Sequence, residues 1–283
     1  MSFTLINRSS DLDFLDKELL GRSYIGVDTE FRRRSKLDID LALIQVNDGQ
    51  EIFLIDCVSI EPHPESCRFL TDKGLIKIFH SCREDIDALV SWTKQAPVNM
   101  FDTQLANAFL GGSFSISYKK LVEGKLDVSL DKDETRSNWV KRPLRDSQLR
   151  YAASDVEFLL DLYEIQIEEL KKLKRLEWVN QEIEFLKRKS NVIETVKKPN
   201  KIIKLTKSEE KEFLIALDLA VTKISESIHI NKTLLLSKKE QRELLKKILY
   251  EGVELALIDL CEWRKDLLFI ELSKLMKRVN LHF

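Results

Sequence analysis

The chain has 283 residues and a net charge of −1, with 46 Lys or Arg against 47 Asp or Glu, so composition alone does not indicate a nucleic-acid partner. Its hydrophobic content of 43% is ordinary for a globular protein, and its length suits two domains. We find no apolar stretch of about 18 residues, no signal peptide and no C-x-x-C pair, which predicts no membrane span and no zinc or disulfide framework. The four cysteines are expected to be reduced, and the predicted location is the cytoplasm.

Strand patterns dominate the first hundred residues. Short apolar runs predict strands at residues 3–6, 24–28, 41–46, 51–56, 75–80 and 98–101. The Asp48-Gly49 pair predicts a hairpin turn between the third and fourth of these strands. Helical spacing follows Ser9-Ser10-Asp11, recurs over 84–92 and begins again after Asp102. Strands that form a meander and then alternate with helices predict a mixed sheet in an α/β domain.

The pattern changes to helix from Leu144 onwards. Apolar residues recur at helical spacing as far as Leu186, which predicts one very long helix or two helices in series. Residues 208–283 are interrupted only by Gly252 and predict a bundle of four or five helices. Residues 165–207, which include the end of the first helical stretch, carry twelve Lys or Arg and six Asp or Glu, a net charge of +6 (12 − 6). This block suits contact with phosphates, although a solvated linker explains it equally well.

Two acids, Asp28 and Glu30, stand at the predicted end of the strand 24–28. Residues two apart in a strand point to the same face, about 6–7 Å apart along the backbone. Two such carboxylates repel each other unless a cation lies between them, and their oxygens suit Mg²⁺ or Mn²⁺. A D-x-E motif alone is a weak signal, and a strand ending in two solvated acids is the simpler interpretation.

Three further residues, Asp85, Tyr151 and Asp155, are candidates for the same site. Asp85 is expected in the first turn of a helix that follows a strand. Tyr151 and Asp155 are four residues apart, so they share one face of a helix. Tyr151 is also explained as a core residue with a satisfied hydroxyl. A buried Asp155 is harder to explain this way, because an unpaired buried charge is costly.

These residues, in this order and spacing, resemble the DEDD superfamily of 3′→5′ exonucleases in its tyrosine subclass, and more closely the ribonuclease D family. The resemblance covers residues 1–165 and includes the stretches 26–31, 101–106, 133–144 and 148–156. It implies an α/β class, with a ribonuclease H-like mixed-sheet exonuclease domain at residues 1–165.

A weaker resemblance covers residues 208–280. The stretches 228–237 and 261–268 are similar to HRDC-type helical domains, which accompany ribonuclease D and bind nucleic acid. We therefore expect a basic helical linker at 166–207 and an all-α HRDC-like domain at 208–283. Ribonuclease D chains usually carry two such domains, and this chain has room for one.

The resemblance implies a two-metal mechanism. Asp28, Glu30, Asp85 and Asp155 would hold two divalent ions, Mg²⁺ or Mn²⁺, one activating a water and the other stabilising the leaving 3′ oxygen. Tyr151 would orient the water, because a phenol with an ordinary pKa near 10 is a poor base at neutral pH. The implied reaction is 3′→5′ exoribonuclease activity that releases nucleoside 5′-monophosphates. The implied partners are tRNA precursors and other small structured RNAs with free 3′ ends.

The resemblance also suggests substrate contacts, each with a structural alternative, by Thr29, Phe31, His80, Gln104 and Arg142. Phe31 could stack on a base or pack in the core, and His80 could contact a phosphate or be a core histidine. Gln104 could contact substrate or belong to a helix cap at 102–104. Arg142 could bind a phosphate or lie in a solvated charge run, and Arg32-Arg33-Arg34 are expected near the RNA backbone.

Two other functions remain open from the sequence. One is a proofreading-type DNA 3′→5′ exonuclease, which the absence of a polymerase and the tRNA-processing resemblance disfavour. The other is an RNA-binding scaffold with an inactive site, which the intact set of four acids and Tyr151 disfavours. The sequence does not indicate the oligomeric state.

Overall fold

The structure is a computed structural model that describes residues 2–35, 38–61, 66–130, 137–191 and 203–278. The chain divides into two compact units. Unit 1 comprises Met1–Ala106 and Ser115–Ser190, and unit 2 comprises Asn107–Phe114 and Asn191–Phe283. Within the described ranges, no helix combines the length and the apolar character needed to cross a membrane.

The first hundred residues form six strands and two helices. In chain order they are β1 (Thr4–Ile6), α1 (Ser9–Leu19), β2 (Tyr24–Ser35), β3 (Asp38–Asn47), β4 (Ile52–Asp56), β5 (Ile76–Phe79), α2 (Arg83–Thr93) and β6 (Met100–Asp102). They are followed by α3 (Thr103–Phe109), α4 (Tyr118–Leu126), α5 (Asp146–Glu157), α6 (Leu159–Lys172) and α7 (Leu176–Asn191).

All six strands belong to one mixed sheet with the order β1-β4-β3-β2-β5-β6. The β2–β3 and β3–β4 pairs are antiparallel, whereas β1–β4, β2–β5 and β5–β6 are parallel. Asn47 pairs with Ile52 across the turn that contains Asp48 and Gly49, so the predicted hairpin is confirmed. The predicted mixed-sheet α/β class is confirmed as well.

Strand β2 continues well beyond the predicted end at Asp28 and stops only at Ser35. Its antiparallel partner β3 pairs with it from Gly26 to Ser35, and this hairpin sustains the strand through its charged residues. Its parallel partner β5 pairs only from Tyr24 to Gly26. Asp28 and Glu30 therefore lie inside a strand, at the level where its pairing with β5 has ended.

The helical stretch after Leu144 also differs from the prediction, because it contains three helices, α5, α6 and α7. Phe158 separates α5 from α6, and its backbone N–H donates to the Tyr118 hydroxyl at 2.9 Å. Lys174 adopts a left-handed conformation with φ 56° between α6 and α7. Helix α4 was not predicted; the Ser117 side chain, which accepts a bond from the Lys120 N–H, caps its start.

The predicted linker at 166–207 does not start at residue 166. Gln166 lies in α6 and donates its amide to the Thr103 carbonyl at 2.9 Å, and Val179 and Ile183 of α7 are buried. Unit 1 accordingly extends to Ser190, and the division at residue 165 falls inside one of its helices. Residues 192–202 of the predicted linker lie outside the described residues, as do residues 133–136 of the quoted motif.

Unit 2 is helical, as predicted. Its described part contains α8 (Lys207–Ser227), α9 (Lys232–Leu236), α10 (Lys238–Glu251), α11 (Val253–Ile258) and α12 (Glu262–Arg278). Trp263 and Arg264, which belong to the stretch 261–268 that resembles HRDC-type domains, are buried. The Trp263 ring meets Phe109 edge-on at 5.1 Å between centroids, and Arg264 donates to Glu240 at 3.1 Å. Both side chains therefore stabilise this unit rather than face a ligand.

Candidate active site

Asp28 and Glu30 project from β2 towards helix α5. Gly26 precedes Asp28 by two residues on the same face, and a Cβ at Gly26 would come within 3.1 Å of Leu159 Cβ. The absence of a side chain at Gly26 thus lets the helical layer approach the strand closely. One carboxylate oxygen from each of Asp28, Glu30 and Asp155 lies within 4.8 Å of the others.

The end of α5 is anchored to strand β3 by Asn47. Its Nδ2 donates to the carbonyls of Val156 and Glu157, at 3.0 Å in each case. Residues 152–153 of α5 are both fully buried alanines, whose small side chains allow the helix to pack closely. These contacts fix the backbone next to Asp155, and they explain how a residue more than a hundred positions from Asp28 reaches the same site.

Asp85 approaches the site from the first turn of α2. It is buried, and the Thr29 hydroxyl donates to its Oδ1 at 2.5 Å. Asp102 fixes the backbone before α2, because its carboxylate accepts the Ser81 N–H at 3.1 Å and the Cys82 N–H at 2.8 Å. Asp85 does not belong to the group formed by Asp28, Glu30 and Asp155, whose oxygens lie within 4.8 Å of one another. Its charge nevertheless raises the pKa of Asp28.

Tyr151 lies one helical turn before Asp155, and its phenol lowers the pKa of that carboxyl, which burial raises overall. Its ring centroid is 6.1 Å from that of Trp139, a residue of the stretch 133–144 for which the sequence predicted no role. Burial, followed by the charges of Asp155, Glu30 and Asp28, raises the pKa of Tyr151 above its ordinary value. The phenol therefore stays protonated at neutral pH and can donate a hydrogen bond, but it is unsuited to act as a base.

Burial and the charges of neighbouring site acids raise the pKa values of Asp28, Glu30 and Asp155. Burial, with repulsion from Asp155 and Asp85, raises the pKa of Glu30 to about 9. Burial is also the largest cause of the raised pKa of Asp28, followed by the charge of Asp85. A divalent cation among these oxygens would replace the repulsion by attraction. Hard carboxylate ligands that converge in this way fit an ion such as Mg²⁺.

Of the predicted substrate contacts, Phe31 faces an open groove, whereas Thr29 is buried and donates its hydroxyl to Asp85. The groove has a volume of about 410 Å³ and is lined by Phe31, Arg32, Arg33, Ser137, Asn138 and Trp139. It combines two aromatic rings with two cationic side chains, which is a suitable surface for a base and its phosphate.

The three consecutive arginines after Phe31 form ion pairs within the protein. Arg32 contacts Asp40 at 2.6 Å, Arg34 contacts the same carboxylate at 2.8 Å, and Arg33 contacts Asp87 at 3.2 Å. These pairs are partly exposed, so the arginines can still add positive potential near the groove. The predicted contact with an RNA backbone remains a prediction.

His80 and Gln104 do not line this groove, and both form a hydrogen bond to one backbone carbonyl. His80 Nε2 donates to Ile116 O at 3.0 Å, and Gln104 Nε2 donates to the same oxygen at 2.8 Å. His80 Nδ1 lies 2.9 Å from the Thr103 hydroxyl, and burial lowers the pKa of His80. Both ring nitrogens are thus occupied by the protein, which disfavours the predicted contact of His80 with substrate and gives Gln104 a structural role.

Arg142 does not have a free donor for a phosphate. Its Nε and Nη2 donate to the two carboxylate oxygens of Asp56 at 2.8 and 2.5 Å, and Nη2 also donates to Ala42 O at 2.9 Å. Nη1 donates to the carbonyls of Trp139 and Lys141. A guanidinium has five N–H groups, and these five bonds use them all. The prediction of a phosphate contact by Arg142 is corrected accordingly.

The fold and the site together define a class of protein. A mixed sheet with converging carboxylates and a neighbouring phenol fits a metal-dependent enzyme that acts on phosphodiesters. A family model described as 3′-5′ exonuclease matches residues 3–171. The chain belongs to this 3′-5′ exonuclease family.

The resemblance to ribonuclease D is confirmed by curated relatives. Ribonuclease D from Pseudomonas paraeruginosa is 42% identical over 147 residues, which are 52% of this chain and 39% of that protein. The aligned part is thus well under half of that relative's length.

Solved structures extend the similarity in fold. Escherichia coli RNase D, described as an exoribonuclease involved in structured RNA processing, superposes with a TM-score of 0.65 over 100% of this chain and 76% of its own, at 22% identity. Brucella melitensis NrnC bound to pGG is 26% identical, with a TM-score of 0.58 over 67% of this chain and 92% of its own. NrnC with bound Mg²⁺ superposes with the same TM-score and coverage at 24% identity.

Proposed function

We propose that the protein is a 3′→5′ exoribonuclease that releases nucleoside 5′-monophosphates from the 3′ ends of RNA. The observation that carries this proposal is the convergence of Asp28, Glu30 and Asp155, with one carboxylate oxygen of each within 4.8 Å of the others. Membership in a 3′-5′ exonuclease family and the similarity to ribonuclease D support it.

In this proposal Asp28, Glu30, Asp85 and Asp155 hold two divalent ions, Mg²⁺ or Mn²⁺. When bound, these ions stabilise the negative charge that develops on the phosphate and on the leaving oxygen. Tyr151 orients the attacking water through its hydroxyl, which stays protonated because its pKa is raised. The water oxygen bonds to the phosphorus of the last phosphodiester and the water gives up a proton, the bond from that phosphorus to the 3′ oxygen breaks, and the 3′ oxygen takes up a proton, so that one water is consumed for each nucleotide released.

The proposed substrates are tRNA precursors and other small structured RNAs with free 3′ ends, in the cytoplasm. The groove between Phe31 and Trp139 is open beside the acids and would receive the terminal nucleotides by stacking. Escherichia coli RNase D is described as involved in structured RNA processing, and Brucella melitensis NrnC binds pGG, which supports a nucleic-acid 3′ end as ligand. Unit 2 would act as an HRDC-like RNA-binding domain through a surface other than the buried Trp263 and Arg264.

The test is incubation of a 3′-extended tRNA with Mg²⁺ or Mn²⁺, in parallel with EDTA and with the same RNA carrying a 3′-phosphate. We expect stepwise shortening in the first reaction, none with EDTA, and none or slow shortening with the blocked end. Asp155→Asn serves as the matched control and should release no nucleotide. Unchanged activity of this variant contradicts the mechanism, and a preference for DNA of matched sequence would identify a DNA exonuclease instead.

A further inference from the structure

Gln45 in the middle of β3 is a buried polar residue whose side chain lacks a partner. It is 0% exposed, and neither Nε2 nor Oε1 has a hydrogen-bond partner among the residues that the structure describes. Gln166, another fully buried glutamine of unit 1, donates its Nε2 to the Thr103 carbonyl at 2.9 Å. Because buried polar groups are normally hydrogen-bonded, an unpaired carboxamide at Gln45 calls for a specific explanation.

The position of Gln45 relates it to the acids. Gln45 is the antiparallel pairing partner of Asp28, and directly paired residues project on the same face with Cβ atoms about 4.5–5.5 Å apart. Asn47, two residues further along β3, reaches α5 from this face through its bonds to Val156 and Glu157. The Gln45 side chain is therefore enclosed between the sheet and α5, beside Asp28.

An unpaired amide in this place destabilises the fold. Its desolvation is not compensated, whereas an apolar side chain of similar volume, such as methionine, would avoid this cost. A structural role alone thus gives no advantage to glutamine at position 45. A role in orienting the carboxylate of Asp28 does favour glutamine, because carboxylates that bind metals are themselves held in place by hydrogen bonds from residues that do not bind the metal.

We propose that Gln45 is a positioning residue for the metal site: when a cation binds, its Nε2, which has no partner in the described structure, turns to donate to one oxygen of Asp28 and orients the other oxygen towards the cation. This inference rests on the proposed function, because it needs the acids to bind a divalent ion. A carboxylate has about four acceptor positions, so one oxygen can accept the amide while the other serves as ligand.

The chemistry of an amide suits this position better than that of a charged side chain. Glutamate at position 45 would add a further negative charge beside Asp28 and would offer no donor when ionised. Lysine would place its own cation beside the carboxylate and compete with a divalent ion. The carboxamide donates a hydrogen bond while it leaves the total charge of the site unchanged.

The experiment measures binding of Mn²⁺ to the 283-residue protein by isothermal titration calorimetry at neutral pH, with no RNA present. We expect Gln45→Met to bind Mn²⁺ about tenfold more weakly or worse, because loss of such outer contacts typically costs 10–100-fold. Its unfolding temperature in EDTA should equal or exceed that of the unmodified protein, since an unpaired buried amide has been removed. Gln166→Met is the matched control and should lose stability but keep the Mn²⁺ affinity.

The outcomes separate this inference from the proposed function. If the unmodified protein does not bind Mn²⁺, the proposed function itself fails. If it binds Mn²⁺ and folded Gln45→Met has the same affinity, only the role of Gln45 is overturned. Should Gln45→Met not fold, the side-chain NH₂ signal of Gln45 in the NMR spectrum of the unmodified protein decides. That signal must shift on addition of Mg²⁺, and an unchanged signal contradicts the proposal.

Discussion

The guanidinium of Arg142 donates to both carboxylate oxygens of Asp56, which lies 86 residues earlier in the chain. The distances are 2.8 Å from Nε and 2.5 Å from Nη2. The same guanidinium donates to Ala42 O, on the strand next to Glu30. The pairing of β2 with β3 shifts by one residue directly after Glu30, which makes Ala42 the extra residue of a bulge. Arg142 therefore connects the segment that carries Trp139 to the irregular part of the sheet beside the acids.

The first prediction concerns Arg142→Lys. Lysine keeps the charge but cannot form the paired bonds to Asp56, so buried acceptors lose their donors. We expect the free energy of unfolding to fall by about 1–3 kcal/mol, measured by urea denaturation. The salt dependence of RNA binding should not change, because no donor of Arg142 is left for a phosphate.

The control for this variant is Asp56→Asn, which removes the acidic partner of the same ion pair. It should lower the free energy of unfolding by a similar amount. Loss of one phosphate contact reduces the slope of log affinity against log salt by about 1. A reduced slope in Arg142→Gln, which also removes the charge that lysine keeps, would show that Arg142 does contact the RNA backbone, contrary to its position in the structure.

The second prediction concerns Thr29→Val. The Thr29 hydroxyl donates to Asp85 at 2.5 Å, and this bond lowers the pKa of Asp85, which burial raises overall. Without the hydroxyl, Asp85 should hold its proton more tightly and compete less well for a cation. We expect Mn²⁺ affinity to fall most at the acid end of the neutral range, as measured by calorimetry at several pH values. Thr29→Ser keeps the donor and should behave like the unmodified protein.

The third prediction concerns Tyr151→Phe. The phenol of Tyr151 acts on the pKa of Asp155, and its own raised pKa keeps it protonated. If it orients the water, its loss should lower kcat on the order of 10²-fold, with KM nearly unchanged. The pH dependence of kcat should keep its shape in the variant. A rise of kcat with pH in the unmodified protein that disappears on this substitution would instead identify the phenol as the base, because a base acts only when it is deprotonated.

Local patterns predicted much of the fold, because they depend on residues that are close in sequence. Asp48-Gly49 determines a turn by its own backbone preferences, and it was located correctly. The apolar period of 208–283 predicted four or five helices, and five are present in the described part. The length of β2 was missed because its last residues, including Arg32-Arg33-Arg34, resemble a loop, and only the pairing with β3 sustains them.

Side-chain partners were harder to predict than elements. The sequence shows that Arg142 and His80 can form hydrogen bonds, but it does not show with what. Their partners Asp56 and Ile116 lie 86 and 36 residues away, and only the folded chain brings them together. The sequence signal that was available for Asp56 was an acid at the end of a strand, the same signal that drew attention to Asp28.

The fourth prediction concerns metal-free protein, whose stability should fall as the pH rises. Burial and the charges of Asp155 and Asp85 raise the pKa of Glu30 from 4.5 to about 9. Between these values the folded state retains a proton that the unfolded state has lost, so the free energy of unfolding decreases with pH. The pKa of Asp28 is raised as well, which makes the free energy of unfolding fall more steeply with pH.

Thermal unfolding in EDTA should therefore give a Tm that declines as the pH rises from 4.5 to about 9. The decline should be shallower for Glu30→Gln, because glutamine cannot ionise at that position. An excess of Mg²⁺ should abolish or reverse the decline, since the cation binds the ionised carboxylates of the folded state. The difference between the unmodified protein and Glu30→Gln isolates this residue from the other titrating groups. If the two EDTA curves run parallel from pH 4.5 to about 9, the raised proton affinity assigned to Glu30 is wrong.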